Sequence, residues 1–417
     1  MAEISSLHPK LQRWLLDGPL ATYVPAYLER LEHGRYASST SQRCLNAVAH
    51  FAHWMSLCRL PVAKLDESRT DQFLQEHLPQ CGCQAPVVRH PREAHAALMP
   101  LLAILRQQGV IADLPVASGP IAEELRRYDA HMLDTRGLAR GTRSIRLRII
   151  ERLLVNKFAG HSLDLRKLQP ADIRRFIVEQ MELRNTISNA VTINGALRDY
   201  LRWRATSGDP VQALLGVIGS PANWSQASLP RALQPDQVDR ILGSFKETLR
   251  SPKRGYAVVR LALDLGLRCI EINRLQLDDI DWQNGVLTLR RTKSRRQDVL
   301  PLPAHTGKAL EDYLRHERPH TSNRSLFVRS TAPHDAPVSV DAIHRVIRDA
   351  FSRAGIAHGR AHALRHTLAC RLVNSGGSIK DVADVLRHRS LNTSLIYAKT
   401  DHTALAAVAL PWPGSTE

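Results

Sequence analysis

A chain of 417 residues allows two to four domains at roughly 150 residues each, and 43% apolar against 23% charged side chains excludes disorder as its general state. Apolar runs such as 257–267 are broken by charge, there Arg260 and Asp264, so no membrane helix of ~18 residues can be read; the first apolar run stops at Asp17 and Gly18 without a secretory pattern, and six cysteines are too few for a disulfide scaffold. With 57 basic and 40 acidic residues the net charge is +17, spread along the chain, which points to a polyanionic partner in the cytoplasm and no membrane contact.

In chain order, apolar residues spaced by three and four make the first ~220 residues all-helical. Two halves of this region echo each other. Gly34, Lys64-Leu65 and Phe73 recur 103 residues later as Gly137, Lys167-Leu168 and Phe176, while Ala37 and Thr40 recur at 102 as Ala139 and Thr142. Each half reads as a long helix, a short loop and a second helix: 40–55 then 68–77, and 142–158 then 170–182. The helix at 142–158 carries Arg143, Arg146 and Arg148 on closely spaced turns, and Arg143 and Arg146 are expected to contact DNA.

Between the halves lies 79–91, with Cys81-Gly82-Cys83 near His77, His90 and His95. The cysteines lack the usual two intervening residues of a zinc site and no second pair follows, so the segment reads as a loop and no metal is assigned. A second break at 216–235, rich in Gly, Ser, Pro and Ala, reads as the interdomain linker. The expected division is therefore 1–110, 118–215, a linker at 216–228, and 229–417.

Beyond the linker the pattern is mixed. Helices are predicted at 234–248 and 254–266, then Asn284-Gly285 marks a turn beside strands 286–291 and 297–302. Helices follow at 305–316, 340–354, 361–374, 378–386, 392–399 and 402–407. The fold class is mainly α with one small antiparallel sheet. Residues 228–417 carry a net +10 and the rest +7, so both parts should face the polyanion.

Four segments of the second part hold side chains suited to one reaction. In Leu265-Gly-Leu-Arg268-Cys-Ile-Glu271, Glu271 sits one helical turn from Arg268 and can hold its guanidinium in a supporting role, although such pairs are usually solvated and weak. Arg290, Arg291, Lys293, Arg295 and Arg296 crowd the tip of the hairpin as phosphate contacts. His362 and Arg365, three apart, project from one helix face. His388 and Tyr397 follow in Leu-Arg-His-Arg-Ser-Leu-Asn-Thr-Ser-Leu-Ile-Tyr.

From about Leu229 to Tyr397, and more loosely from about Pro120 to Ser207, the sequence resembles the tyrosine recombinases, or phage-type integrases. The resemblance implies a catalytic set of Arg268, Lys293, His362, Arg365, His388 and Tyr397, which match by type and order; Arg387 stands where the family usually has glycine. It further implies a helical core-binding domain and a mixed α/β catalytic domain closing as a C-shaped clamp on double-stranded recombination sites, in a homotetramer. The chain would be a nucleoid-associated bacterial protein that integrates or transposes a mobile element, with accessory proteins as further partners. Residues 1–110 exceed the family's minimal plan and are not assigned by the resemblance; the readings are an arm-binding extension, an assembly element or a duplicated core-binding-like domain.

The residues themselves fit that chemistry. Arg268 and Arg365 can clamp both non-bridging oxygens of a phosphodiester, and His362 and His388 titrate near working pH. Tyr397 needs a cationic pocket to become nucleophilic, and Lys293 can protonate the departing 5′-oxygen. A phosphotyrosyl ester conserves the bond energy, so neither ATP nor a metal cofactor is called for, and no two-metal carboxylate cluster or phosphate-binding glycine loop is present. Two alternatives share parts of this reading: a type IB topoisomerase or telomere resolvase, and a DNA-binding regulator whose catalysis has lapsed.

Overall fold

The computed structural model describes residues 4–84, 86–113, 118–159, 161–183, 186–219, 232–290, 297–357, 359–388 and 390–400. They form two compact units, Met1–Ile111 together with Gln226–Glu417, and Ala112–Ser225. Among the described residues no helix is long and apolar enough to cross a membrane.

The first 111 residues carry α1 (Pro9–Leu16), α2 (Val24–His33), α3 (Ser38–Leu57), α4 (Glu67–Gln72) and α5 (Pro91–Gln107). In the second unit lie α6 (Pro120–Asp134), α7 (Arg140–Phe158), α8 (Pro170–Leu183) and α9 (Ile187–Thr206). Four of these open on proline, whose fixed φ suits a first helical turn and whose missing N–H is not needed there. Each set closes on its own apolar core, around Leu45, Phe51, Phe73 and Leu102 in one and Tyr128, Ile150, Phe176 and Leu197 in the other.

The two sets repeat one plan. Ala37 and Ala139 precede the long helices α3 and α7 with nearly the same backbone, φ −59°, ψ 143° and φ −62°, ψ 143°. The repeated Lys-Leu pairs each close a 3-10 turn, Val62–Lys64 and Leu165–Lys167. Buried Tyr27 of α2 donates its hydroxyl to the Ala97 carbonyl of α5 at 2.8 Å, and buried Tyr128 of α6 to Asp199 Oδ2 of α9 at 2.9 Å. One irregularity separates them. Where α8 is a continuous helix, α4 widens into a π turn at Phe73–His77 before a last turn at Leu78–Gln80.

The segment beyond the linker contains α10 (Pro235–Leu242), α11 (Pro252–Asp264), α12 (Cys269–Arg274), α13 (Ala304–His316), α14 (Val340–Arg353), α15 (Ala361–Asn374) and α16 (Ile379–Val385). Two 3-10 turns follow, Leu391–Thr393 and Leu395–Thr400. Helix α11 is buried nearly all round, from Ala257 to Leu263, which is why it lies at the centre, packed by α13, α14 and α15. The helix expected at 234–248 stops at Gly243: Phe245 turns in to pack on Tyr256, with the Arg353 guanidinium 5.1 Å from its ring.

The sheet has three antiparallel strands, β1 (Ile280–Asp281), β2 (Val286–Leu289) and β3 (Asp298–Pro301), in that order. Asn284-Gly285 joins β1 to β2, with Gly285 at φ +60° and Asp281 accepting from the backbone of Gln283 and Asn284. Sequence patterning missed β1, which is two residues long. Register pairs Leu287 with Ile280 and Leu300, so these three face the core while Val299 faces out.

Candidate active site

The loop between α11 and α12 sets the first arginine. Gly266 adopts φ +56°, and a Cβ there would stand 2.8 Å from Leu386 Cδ2 and 3.1 Å from Leu368 Cδ2. Arg268 then precedes α12, where Glu271 accepts from its backbone N–H at 2.8 Å and from its Nη1 at 2.7 Å. Glu271 is only 2% exposed, and its second oxygen takes Arg387 Nη2 at 3.0 Å. The pair is therefore a buried triad and not the solvated surface pair that spacing alone suggests.

Arg387 is a buried residue at φ +54°, and its guanidinium points inward to Glu271 and to the carbonyls of Leu265, Gly266 and Val385. The left-handed backbone also accounts for the glycine that the resembling family carries at this place.

Helix α15 supplies three groups. Arg365 is 4% exposed and donates Nη1 to the Gly266 carbonyl and Nη2 to the Leu386 carbonyl. With five donors on a guanidinium, Arg268 and Arg365 are both anchored from behind and keep N–H groups for a ligand. Burial, then Arg268 and Arg387, push the Arg365 pKa down, yet a guanidinium stays charged. The half-buried rings of His362 and His366 lie 6.0 Å apart, and burial followed by neighbouring charge lowers both pKa values.

Tyr397, in the last 3-10 turn, is 2% exposed and packs with Ala369, Cys370, Val382 and Leu386. Its hydroxyl is 2.8 Å from His366 Nδ1. Burial raises its pKa to about 12, against the opposing pull of Arg365 and Arg268. His388 stacks nearly parallel to it at 6.4 Å between ring centroids, with Nδ1 2.6 Å from Ser394 Oγ. Its pKa falls to about 4 through burial, then through Arg365, Arg268 and Arg387.

Five of the six expected residues thus share one electrostatic pocket: Arg268, His362, Arg365, His388 and Tyr397. Lys293, with Arg291, Arg295 and Arg296, lies outside the described residues, as does the helix expected at 402–407. Arg290 is described; it turns back to Asp279 Oδ1 at 2.9 Å and to the Asp278 carbonyl at 3.1 Å, with its side chain 59% exposed. Of the two arginines expected to contact DNA, Arg143 faces Asp129 at 3.5 Å and Arg146 pairs with Asp199 at 2.5 Å, both partly buried, while Arg140, Arg148 and Arg152 of the same helix are exposed. His366 was missed as a site residue; its one signal was a position one helical turn beyond His362.

The described residues thus bring two arginines, three imidazoles and a phenol into one pocket, a donor set suited to the oxygens of a phosphodiester. The same fold is seen in XerH recombinase bound to a palindromic difH substrate, 16% identical, TM-score 0.52, covering 96% of this chain and 95% of that one. It is also seen in a lambda integrase dimer bound to a COC′ core site, 17% identical, TM-score 0.52, covering 67% and 95%. The phage integrase family profile matches residues 231–403. A protein named as an integrase/recombinase, y4rA of Sinorhizobium fredii, is 32% identical over 408 residues, 96% of each chain, and the tyrosine recombinase XerC of Roseiflexus sp. is 28% identical over 313 residues, 71% of this chain and 95% of the relative. The chain belongs to the phage integrase family, the tyrosine recombinases, and is a site-specific DNA recombinase.

Proposed function

We propose that the chain cuts and rejoins duplex DNA at the recombination sites of a mobile element, with Tyr397 as nucleophile and with neither ATP nor a metal ion in the chemical step. The observation that carries this is the Tyr397 hydroxyl, 2.8 Å from His366 Nδ1 and within the field of Arg365 and Arg268.

The phenolic oxygen attacks the scissile phosphorus, the bond from phosphorus to the 5′-oxygen breaks, and a 3′-phosphotyrosyl ester forms. Arg268 and Arg365 spread the charge that builds on the non-bridging oxygens, and His362 and His388 donate to the same oxygens. A phenol whose pKa stands near 12 needs a base. His366, its own pKa lowered, is neutral at pH 7 and accepts the proton on Nδ1. Lys293 of the β2–β3 connection protonates the leaving 5′-oxygen. A 5′-hydroxyl from another strand reverses each step. The division at 1–110, 118–215, 216–228 and 229–417 belongs to this proposal: the helical parts and the catalytic part close as a clamp on DNA, four copies act on paired sites, and accessory proteins steer the outcome.

A nicked suicide substrate tests it. The wild type, without added magnesium or ATP, should leave protein covalently joined to the 3′ end on a denaturing gel, and Tyr397→Phe should leave none. An adduct formed by the Phe variant overturns the assignment of the nucleophile.

A further inference from the structure

We propose that His50, His77, Cys81 and Cys83 form a closed tetrahedral Zn2+ site that staples the first helical set. The four ligand atoms all lie within 4.8 Å of one another. His50 Nε2 stands 3.1 Å from His77 Nε2 and 3.3 Å from Cys81 Sγ, and Cys83 Sγ stands 4.0 Å from His77 Nε2. Nitrogen and sulfur ligands about 2.0–2.3 Å from one zinc stand roughly 3.3–3.8 Å apart at tetrahedral angles, so these three separations lie within about half an ångström of what one zinc requires, and small side-chain shifts bring in the rest of a set already within 4.8 Å.

Hydrogen bonding does not explain the convergence. A ring nitrogen offers one proton or one lone pair, yet both His77 Nε2 and Cys81 Sγ approach the single Nε2 of His50. One shared cation satisfies all of them. A divalent ion on two thiolates and two neutral imidazoles keeps the centre uncharged.

The surroundings are shaped for it. Arg89 donates to the Cys81 carbonyl at 2.6 Å and the Cys83 carbonyl at 3.5 Å, fixing the Cys81-Gly82-Cys83 bend. The Cys83 N–H points at Cys81 Sγ at 3.4 Å, as outer groups do around metal thiolates. The π turn ends on His77 itself, and such turns gather at functional sites.

The second helical set is an internal control. At the offsets already given, His50 and His77 correspond to Arg152 and Gln180, and those two share a hydrogen bond of 3.1 Å, while Cys81 and Cys83 correspond to Arg184 and Thr186. The same helix-to-helix contact therefore stands without any of the four ligands. Sequence spacing concealed the site because its ligands are one Cys-x-Cys pair and two histidines on separate elements, one of them, His50, 31 residues before Cys81; His90 and His95 are not among them.

The test uses the full chain, purified under reducing conditions. Elemental analysis should find about one zinc per chain. After chelation, Co2+ should be taken up to about one equivalent with the visible absorption of tetrahedral thiolate-bound cobalt. The Cys81→Ser, Cys83→Ser double variant should lose both signals, and Cys58→Ser, at an exposed cysteine, should keep them. If the double variant does not fold, the wild-type titration still decides. A wild type that carries no zinc and binds no cobalt, or a double variant that retains the cobalt spectrum, overturns the site.

Discussion

At position 387 the chain turns left-handed with a side chain attached, at a cost of roughly 1–2 kcal/mol, and offsets it with an inward guanidinium. The ion pair to Glu271 has both side chains at 3% exposure or less. Removing one partner of such a pair strands the other and costs about 3–5 kcal/mol. Because Glu271 keeps Arg268, Arg387→Ala should destabilise by less than that full amount in urea unfolding, and Arg387→Gly by roughly 1 kcal/mol less again because the backbone strain is relieved. An Ala variant as stable as the wild type would refute the buried triad. The neighbouring imidazole of His388 gives a pH signature. Its folded value, about 4, lies below its ordinary 6.5, so the unfolded chain binds the proton first. Its stability contribution is whole above about pH 6.5 and is lost as pH falls toward 4. Thermal melts at about pH 7 and 5 should show a smaller drop for His388→Gln than for the wild type; parallel drops would count against it.

The element that organises the pocket is the loop from α11 to α12. Gly266 holds a positive φ, lies against Leu386 and Leu368, and gives its carbonyl to both Arg365 and Arg387. Gly266→Ala should cost roughly 1–3 kcal/mol and lower the yield of covalent adduct together with stability, because both arginines lose their anchor. A variant with full stability and full adduct would show the loop to be tolerant. Elements with a strong local code were legible: α15 begins and ends where its pattern does, and Asn284-Gly285 makes its turn. The two-residue β1 and the π turn at His77 were not, since two residues carry no periodicity and a π turn differs from an α turn only in how its neighbours pack.

Across the whole molecule, a net charge of +17 makes DNA affinity a matter of counterion release. If 6–10 phosphates are contacted, binding should weaken by about 10³–10⁵-fold between about 50 and 200 mM salt, measured by fluorescence anisotropy on a duplex. A flat response would remove the polyelectrolyte basis of the reading. Net charge does not say which carboxylates a cation meets in the fold: Arg143 and Arg146 face Asp129 and Asp199, brought from other helices.

By itself the sequence determined the helical class, the repeated plan of the first two hundred residues, the charge and the order of the reactive residues, because helix period, turn chemistry and residue type act over a few neighbours. Only the tertiary structure decided that Glu271 is buried between two arginines, that His366 meets the Tyr397 hydroxyl, and that His77, Cys81 and Cys83 gather around His50. Those facts depend on the approach of segments up to about a hundred residues apart, and burial then sets their charge states by excluding water.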